Sequence, residues 1–394
     1  MINIKIFGIV WRAILLLNSN TELPFNFSIE QNHSAFMVSF INGVESIDAD
    51  EVTMQNDSIF IRMPVFDSEI RAKITSKNKI PVSMQGLFIN HARVANNIIP
   101  FSAKADDATR FIDNGKPTAI NFDGLWEVHF SQGTADSSDA IGKFEQQGKN
   151  VIGTFLTPTG DYRYLSGSII DSTLNLSTFD GCHVYLFKAK MKKDGTLTGD
   201  FWSGTHWHEP WTATRNPNFQ LPDPDTIMHL KPGYDGIKFS FLNMDSTQEN
   251  FPSDKYKNKV VILQFMGTWC PNCMDETSYL AYYYRKMRSK NLEIVGLAFE
   301  KFPDFNKAKH NLTRLKGKYA VDYPLLIACT NNKDSIARNL PMLGSIYSFP
   351  TTIFIDKKGK VRRIHTGYSG PATGIYYDRW IEDFTTFVDK LIAE

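Results

Sequence analysis

Val260–Met266 reads as a continuous apolar run, the pattern of a strand buried on both faces. Four residues later the chain reaches Cys270-Pro271-Asn272-Cys273. Beyond it, Tyr279, Leu280, Tyr283 and Met287 recur on one face of a helical pattern over Cys273–Met287. A buried strand that turns into a helix through two cysteines leaves few folds open. A cysteine at a helix N-terminus faces unsatisfied backbone N–H groups and the positive end of the dipole, which favour thiolate over thiol. Cys273 lies one turn on and on the same face, within disulfide reach. Pro271 is tolerated because a first-turn N–H has no helical partner. Position predicts the roles: Cys270, at the exposed end, attacks a substrate disulfide, and Cys273, deeper in, resolves the mixed disulfide. Half a zinc site is the competing reading. Zinc would need two further Cys or His ligands, usually from a second close pair. The remaining cysteines, Cys182 and Cys329, are isolated, so no metal is expected.

The surrounding pattern alternates strand and helix. Leu292–Phe299 reads as a second buried strand, and Phe305–Tyr319 is helical in character. Pro350–Asp356 and Val361–Thr366 flank a Lys357-Lys358-Gly359 turn as a hairpin. Trp380, Phe384, Phe387, Val388 and Leu391 form the apolar stripe of a closing helix. Strand–helix–strand followed by hairpin–helix is a thioredoxin-type α/β arrangement.

Residues from about 226 to 394 resemble the TlpA/ResA-like thiol–disulfide oxidoreductases of the thioredoxin superfamily, especially Bacteroidetes-type forms with an N-terminal β domain. The resemblance rests on Trp269-Cys270-Pro271-Asn272-Cys273, on the lead-in strand Val260–Phe265, and on Phe349-Pro350-Thr351-Thr352-Ile353-Phe354-Ile355-Asp356. It implies an enzyme that reduces protein disulfides, supplied with electrons by another thiol–disulfide protein, with no dissociable cofactor. It also implies an extracytoplasmic setting, in the periplasm or cell envelope. Pro350 is implied to be cis and packed against the disulfide, with Trp269 and Pro271 as neighbours of the cysteines. Ordinary thioredoxins carry an acid six residues before the first Cys, where this chain has Gln264, an amide that cannot titrate. The ResA-like branch carries a Glu three residues after the second Cys, a position Glu276 fills. Burial would raise its pKa and let it move protons. Read from the residues alone, Glu276 and Asp275 could instead complement the helix dipole. Glu300, at the end of Leu292–Phe299, is a second candidate acid.

The first 222 residues are patterned differently, as short strands between Gly, Asn, Asp and Pro turns. Gly8-Ile9-Val10-Trp11-Arg12 matches Gly124-Leu125-Trp126-Glu127 with a one-residue offset, and Asp57-Ser58 matches Asp171-Ser172. Val65-Phe66-Asp67-Ser68 matches Thr178-Phe179-Asp180-Gly181. Trp11 to Asp57 is 46 positions and Trp126 to Asp171 is 45. Landmarks in one order at nearly equal spacing predict a tandem duplication of about 115 residues, too long a period for a solenoid. It suits an all-β, barrel- or sandwich-like region. Asn216–Pro224 reads as a Pro-rich linker. The expected organisation is therefore β repeat 1 over 1–110, β repeat 2 over 111–222, and the thioredoxin-like domain over 223–394. Met1–Leu17 is apolar enough to pass for a signal peptide, but Arg12 interrupts it and no small-residue cleavage site follows. Trp11 in the position of a structural strand predicts the first strand of repeat 1 instead, with any export signal lying upstream.

Lys and Arg number 43 against 42 Asp and Glu, so the net charge of +1 offers no footprint for nucleic acid or an anionic membrane surface. No apolar run reaches the roughly 18 residues that a membrane-spanning helix needs. His206 and His208 would share a face on a strand, with His183 as a possible third metal ligand, although interface or core histidines are the ordinary explanation. Trp126, Trp202, Trp207 and Trp211 fit either a stacking platform or a barrel core. Cys182 and Cys329 read as inert buried thiols. Two other functions compete with the disulfide reductase. A thiol peroxidase usually places Thr three residues before its reactive Cys and Pro seven before, where this chain has Gly267 and Leu263. An envelope ligand-binding protein would place its specificity in the β domain.

Overall fold

In the computed structural model, which describes residues 9–32, 35–113, 115, 118–344 and 346–394, the strand Ile9–Asn18 turns Trp11, Ala13, Leu15 and Leu17 inward. That period-2 burial makes it a wall of a small β core. The expected first strand is present from Ile9; the part of it over residues 1–8 lies outside the described residues. The chain divides into two compact units, Met1–Phe155 with Tyr162–Gln220, and Leu156–Asp161 with Leu221–Glu394.

The N-terminal region holds two nine-stranded antiparallel sheets among the described residues. In the first, Ile9–Asn18 pairs with its hairpin partner Thr21–Asn32 and with the last strand, Ile98–Ala105. In the second, Gly124–Phe130 pairs in the same way with Ser138–Gln147 and with the last strand, Trp207–Arg215. A further pairing between Ser138–Gln147 and Asn150–Thr157 closes that sheet on itself. Trp11 opposes Ala105, and Trp126 opposes Arg215, so the two matched tryptophans occupy the same place in the two closing ladders. The Asp57 and Asp171 landmarks lead into Ser58–Arg62 and Thr173–Phe179. Phe25, Phe27 and Phe40 fill the first core with Trp11; Phe130, Phe155, Phe187 and Trp211 fill the second with Trp126. The two sheets are tied within the unit. Asn42 Nδ2 donates to the Phe179 carbonyl at 2.9 Å, and buried Arg110 donates through Nη1 to the Ser177 carbonyl and hydroxyl at 3.1 and 3.0 Å.

The expected tryptophan group splits. Trp126 and Trp211 are core, whereas Trp207 is 41% exposed and Trp202 stacks on His208 at 4.8 Å. His208 is an exposed residue paired with Asp200 at 2.9 Å, and exposed His206 precedes the strand in a turn, so of the interface and core explanations the core one does not apply to either. His183 pairs with buried Asp180.

The second unit is built on a seven-stranded sheet in the order Gln248–Phe251, Phe239–Asn243, Leu325–Thr330, Leu292–Glu300, Val260–Met266, Thr351–Ile355, Val361–Thr366. The three central strands, Leu325–Thr330, Leu292–Glu300 and Val260–Met266, run parallel, and the Thr351 strand is antiparallel to its Val260 neighbour. All seven residues of Val260–Met266 are buried, as its apolar run predicts. Around the sheet lie α1 (Pro271–Met287), α2 (Phe305–Tyr319), α3 (Lys333–Asn339) and α4 (Ile375–Ala393). This is the thioredoxin-like arrangement, preceded by an all-β region. The helix α1 begins two residues before the expected Cys273, because Cys270 is itself the N-cap. The outer hairpin Phe239–Phe251, the strand Leu325–Thr330 and α3 were not legible as elements. Among the described residues no helix is long and apolar enough to cross a membrane.

Candidate active site

The buried strand Val260–Met266 delivers the chain to a tight loop, Gly267–Cys270, where the Cys270 amide donates to the Gly267 carbonyl at 3.1 Å. Cys270 then caps α1: its Sγ accepts from the Cys273 amide at 3.2 Å, with Pro271 in the first turn. Cys270 and Cys273 form a disulfide, with their Cα atoms 5.2 Å apart. Cys270 is more hidden than expected, at 5% exposure, whereas Cys273 lies deeper, as expected, at 0%. Cys270 is nevertheless the outer of the two. Its burial has a local cause. The Phe349 carbonyl oxygen lies 3.5 Å from Cys270 Sγ, and the Phe349 ring packs edge-on against part-buried Trp269 at 5.5 Å.

The Phe349–Pro350 peptide is cis, the geometry that the family resemblance implied. The Pro350 carbonyl accepts from the Gly367 amide at 2.9 Å, which fastens this turn to the segment after Val361–Thr366. The strand Thr351–Ile355 continues from it, with Thr351 and Thr352 both buried.

Glu276 points inward from α1, one turn beyond Cys273, and is 0% exposed. Its Oε1 accepts from Thr352 Oγ1 at 2.7 Å and its Oε2 from Gln264 Nε2 at 2.9 Å. Burial pushes its pKa up to about 7, against the opposing effect of those two hydrogen bonds. Glu276 is thus buried and hydrogen-bonded on both oxygens within the core. Gln264, expected merely to lack an acid, orients one: its amide also donates to the Cys273 carbonyl at 3.4 Å and to Thr277 Oγ1 at 3.0 Å.

Glu300 ends the neighbouring strand, and both of its oxygens are taken up by Thr268. Burial pushes its pKa up, and the Thr268 hydrogen bonds pull against that shift. Sequence reasoning missed Thr352 and Thr268. Their signal was thin: one of two threonines at the head of an apolar strand, and another threonine beside the cysteines.

The structure thus brings Cys270, Cys273, Glu276, Pro350, Trp269 and Pro271 together at one end of the sheet. Neither Cys182 nor Cys329 forms a disulfide, and both are part-buried rather than fully buried. Among the described residues no group of three or more His, Cys, Asp or Glu is placed to hold a metal.

Residues 217–364 match the sequence model of the AhpC/TSA family. The thiol-disulfide oxidoreductase ResA of Bacillus subtilis (strain 168) is 28% identical over 128 residues, which cover 32% of this chain and 64% of that protein. The chain therefore spans less than two thirds of the length of that relative. The thiol:disulfide interchange protein DsbE of Escherichia coli (strain K12) is 27% identical over 188 residues, covering 47% of this chain and 87% of that protein. Among solved structures, a thiol:disulfide interchange protein of the thioredoxin family from Chlorobium tepidum TLS is 22% identical, with a TM-score of 0.31, covering 40% of this chain and 95% of that one.

Proposed function

With the C-terminal unit taken as that of a TlpA/ResA-like member of the thioredoxin superfamily, we propose that this protein is a thiol–disulfide oxidoreductase that reduces protein disulfides through Cys270 and Cys273. The observation that carries the reading is the Cys270–Cys273 pair at the head of α1 with the carboxyl of Glu276 buried one turn behind it.

In the dithiol form the Cys273 amide and the N-terminus of α1 favour the Cys270 thiolate. That thiolate attacks one sulfur of a substrate disulfide; the substrate S–S bond breaks, and its second sulfur leaves as a thiolate that takes up a proton. Cys273 then gives its proton to the Glu276 carboxylate and attacks Cys270 Sγ. The mixed disulfide breaks, the second substrate thiolate leaves, and Cys270–Cys273 is left oxidised by two electrons. A carboxyl with a pKa of about 7 is populated in both forms at neutral pH, as a group that accepts and returns one proton must be. Another thiol–disulfide protein would return the electrons, so the cycle needs no dissociable cofactor. The cis Phe349–Pro350 segment offers backbone beside the sulfurs for an extended substrate. By resemblance the setting is extracytoplasmic, and the β unit serves as support or as a recognition surface.

The AhpC/TSA match raises peroxidase chemistry, but the residues argue against it. Gly267 brings no hydroxyl where that chemistry uses Thr, and Leu263 is a fully buried core side chain where it uses Pro.

The test is the equilibrium of Cys270–Cys273 with glutathione, with Cys270→Ser as blank. A potential near about −270 mV, as in thioredoxin, supports a reductase, whereas one near about −120 mV makes the protein a disulfide donor. A blank that behaves like the wild type ends the redox reading.

A further inference from the structure

The mechanism leaves Glu300 without a task, although it is buried beside the nucleophile's loop. Its two oxygens engage both donors of one residue: the Thr268 amide reaches Oε1 at 2.9 Å and Thr268 Oγ1 reaches Oε2 at 2.8 Å. Thr268 is 2% exposed and lies between two other anchored residues. On one side, the Gly267 carbonyl accepts from the Cys270 amide at 3.1 Å. On the other, the Trp269 indole N–H donates at 2.9 Å to the carbonyl of Phe299, the neighbour of Glu300. From α2, Asn311 Nδ2 adds a bond to Thr268 Oγ1 at 3.4 Å. The loop that presents Cys270 is thus bolted to the end of the strand Leu292–Glu300.

We propose that Glu300 is a positioning residue: it clamps the Gly267–Cys270 loop and so fixes where Cys270 Sγ stands over the first turn of α1, taking no proton from Cys273. This inference rests on the thiol–disulfide reading of the site. What separates it from the expected acid is where its bonds go: both oxygens of Glu300 hold the two donors of one loop residue, Thr268. The carboxyl that shares a helical face with Cys273 is Glu276, which Gln264 and Thr352 hold in place. Clamping matters because a misplacement of about 1 Å in a reacting group costs on the order of a hundredfold in rate.

The test compares Glu300→Ala, Glu300→Gln and Thr268→Val in the full chain. Two readouts are taken: the pH profile of Cys270 alkylation by iodoacetamide in the reduced protein, and single-turnover reduction of insulin disulfides. A Gln keeps the size and an acceptor for the Thr268 amide while abolishing the acid. The expected result is an alkylation profile and rate for E300Q within about twofold of wild type, with E300A slower by roughly tenfold and its profile displaced. T268V should be slower by roughly threefold, the scale of one hydrogen bond. If E300Q is as damaged as E300A and loses a step of the pH profile, Glu300 acts as an acid and the clamp is overturned. E300A indistinguishable from wild type overturns it equally. Should E300A fail to fold, T268V decides against E300Q: slowed T268V with intact E300Q supports the clamp, and unaffected T268V refutes it. Wild type that alkylates normally but leaves insulin oxidised would sink the reductase reading alone, since alkylation needs no substrate.

Discussion

Replacing Glu276 by Gln removes a carboxyl whose pKa burial has moved from 4.5 to about 7. Between those values the unfolded chain has already released its proton and the folded chain still holds it. The folded state therefore binds more protons, and stability falls as pH rises through this window. The loss begins near pH 4.5 and is complete just above pH 7. The gap, at about 1.4 kcal/mol for each pH unit, comes to about 3 kcal/mol. Glu276→Gln has no charge to bury and escapes that slope, whatever constant it gains or loses from its altered bonds with Thr352 and Gln264. The assay is guanidinium denaturation of the oxidised proteins at several pH values, read by hydrogen exchange of peptides from α1, so that the β unit does not contribute. The stability of the variant relative to wild type should rise by about 3 kcal/mol between pH 4.5 and about pH 8. Parallel pH profiles, or a wild type that gains stability across this window, would refute the claim that Glu276 is buried with a raised pKa.

Two further outcomes follow from the packing. A Cβ at Gly267 would lie 2.3 Å from Trp269 Nε1 and 2.9 Å from the Phe299 carbonyl, so Gly267→Ala must displace the indole from its hydrogen bond. It should lower stability by about 1–3 kcal/mol, and a thermal melt and tryptophan spectrum identical to wild type would count against the described loop. Arg110→Ala strips donors from the Ser177 and Ile41 carbonyls in the β unit and should cost about 2–3 kcal/mol. Hydrogen exchange of peptides covering Thr173–Phe179 would register the loss; unchanged protection there would show that the guanidinium is dispensable.

The site was legible where chemistry depends on near neighbours in the chain. Val260–Met266, the cysteine spacing and Glu276 one turn on all lie within 17 consecutive residues, and local periodicity places them correctly. The duplication was legible too, because Trp11 and Trp126 stand at matched distances from matched turns. What could not be read depends on pairings across the sheet. Glu300 and Thr268 are 32 residues apart, and nothing in either segment announces that one carboxylate will take both donors of the other. Likewise Gln264 reads as a missing acid until the sheet sets its amide against Glu276. The strand Leu325–Thr330 is short and only partly buried, and α3 has seven residues, too few for a periodic signal. Its one local mark is the capping Asn332, whose side chain accepts from the Asp334 and Ser335 amides. The exposure of His208 and Trp207 escaped for a different reason: alternation tells which residues share a face, but not which face meets water.

In each β repeat the start of the first strand lies beside the end of the last, Trp11 against Ala105 and Trp126 against Arg215. The backbone therefore enters and leaves each sheet through two neighbouring interior strands, as a loop of thread does. A module wired in this way can be copied in series with a short joint, because neither copy has to open or reroute to admit the other. The same wiring makes each repeat a natural subject for circular permutation. Its old ends are already neighbours, and new ends can be cut at Asp50–Glu51 in the first repeat, between the two outermost strands of the sheet.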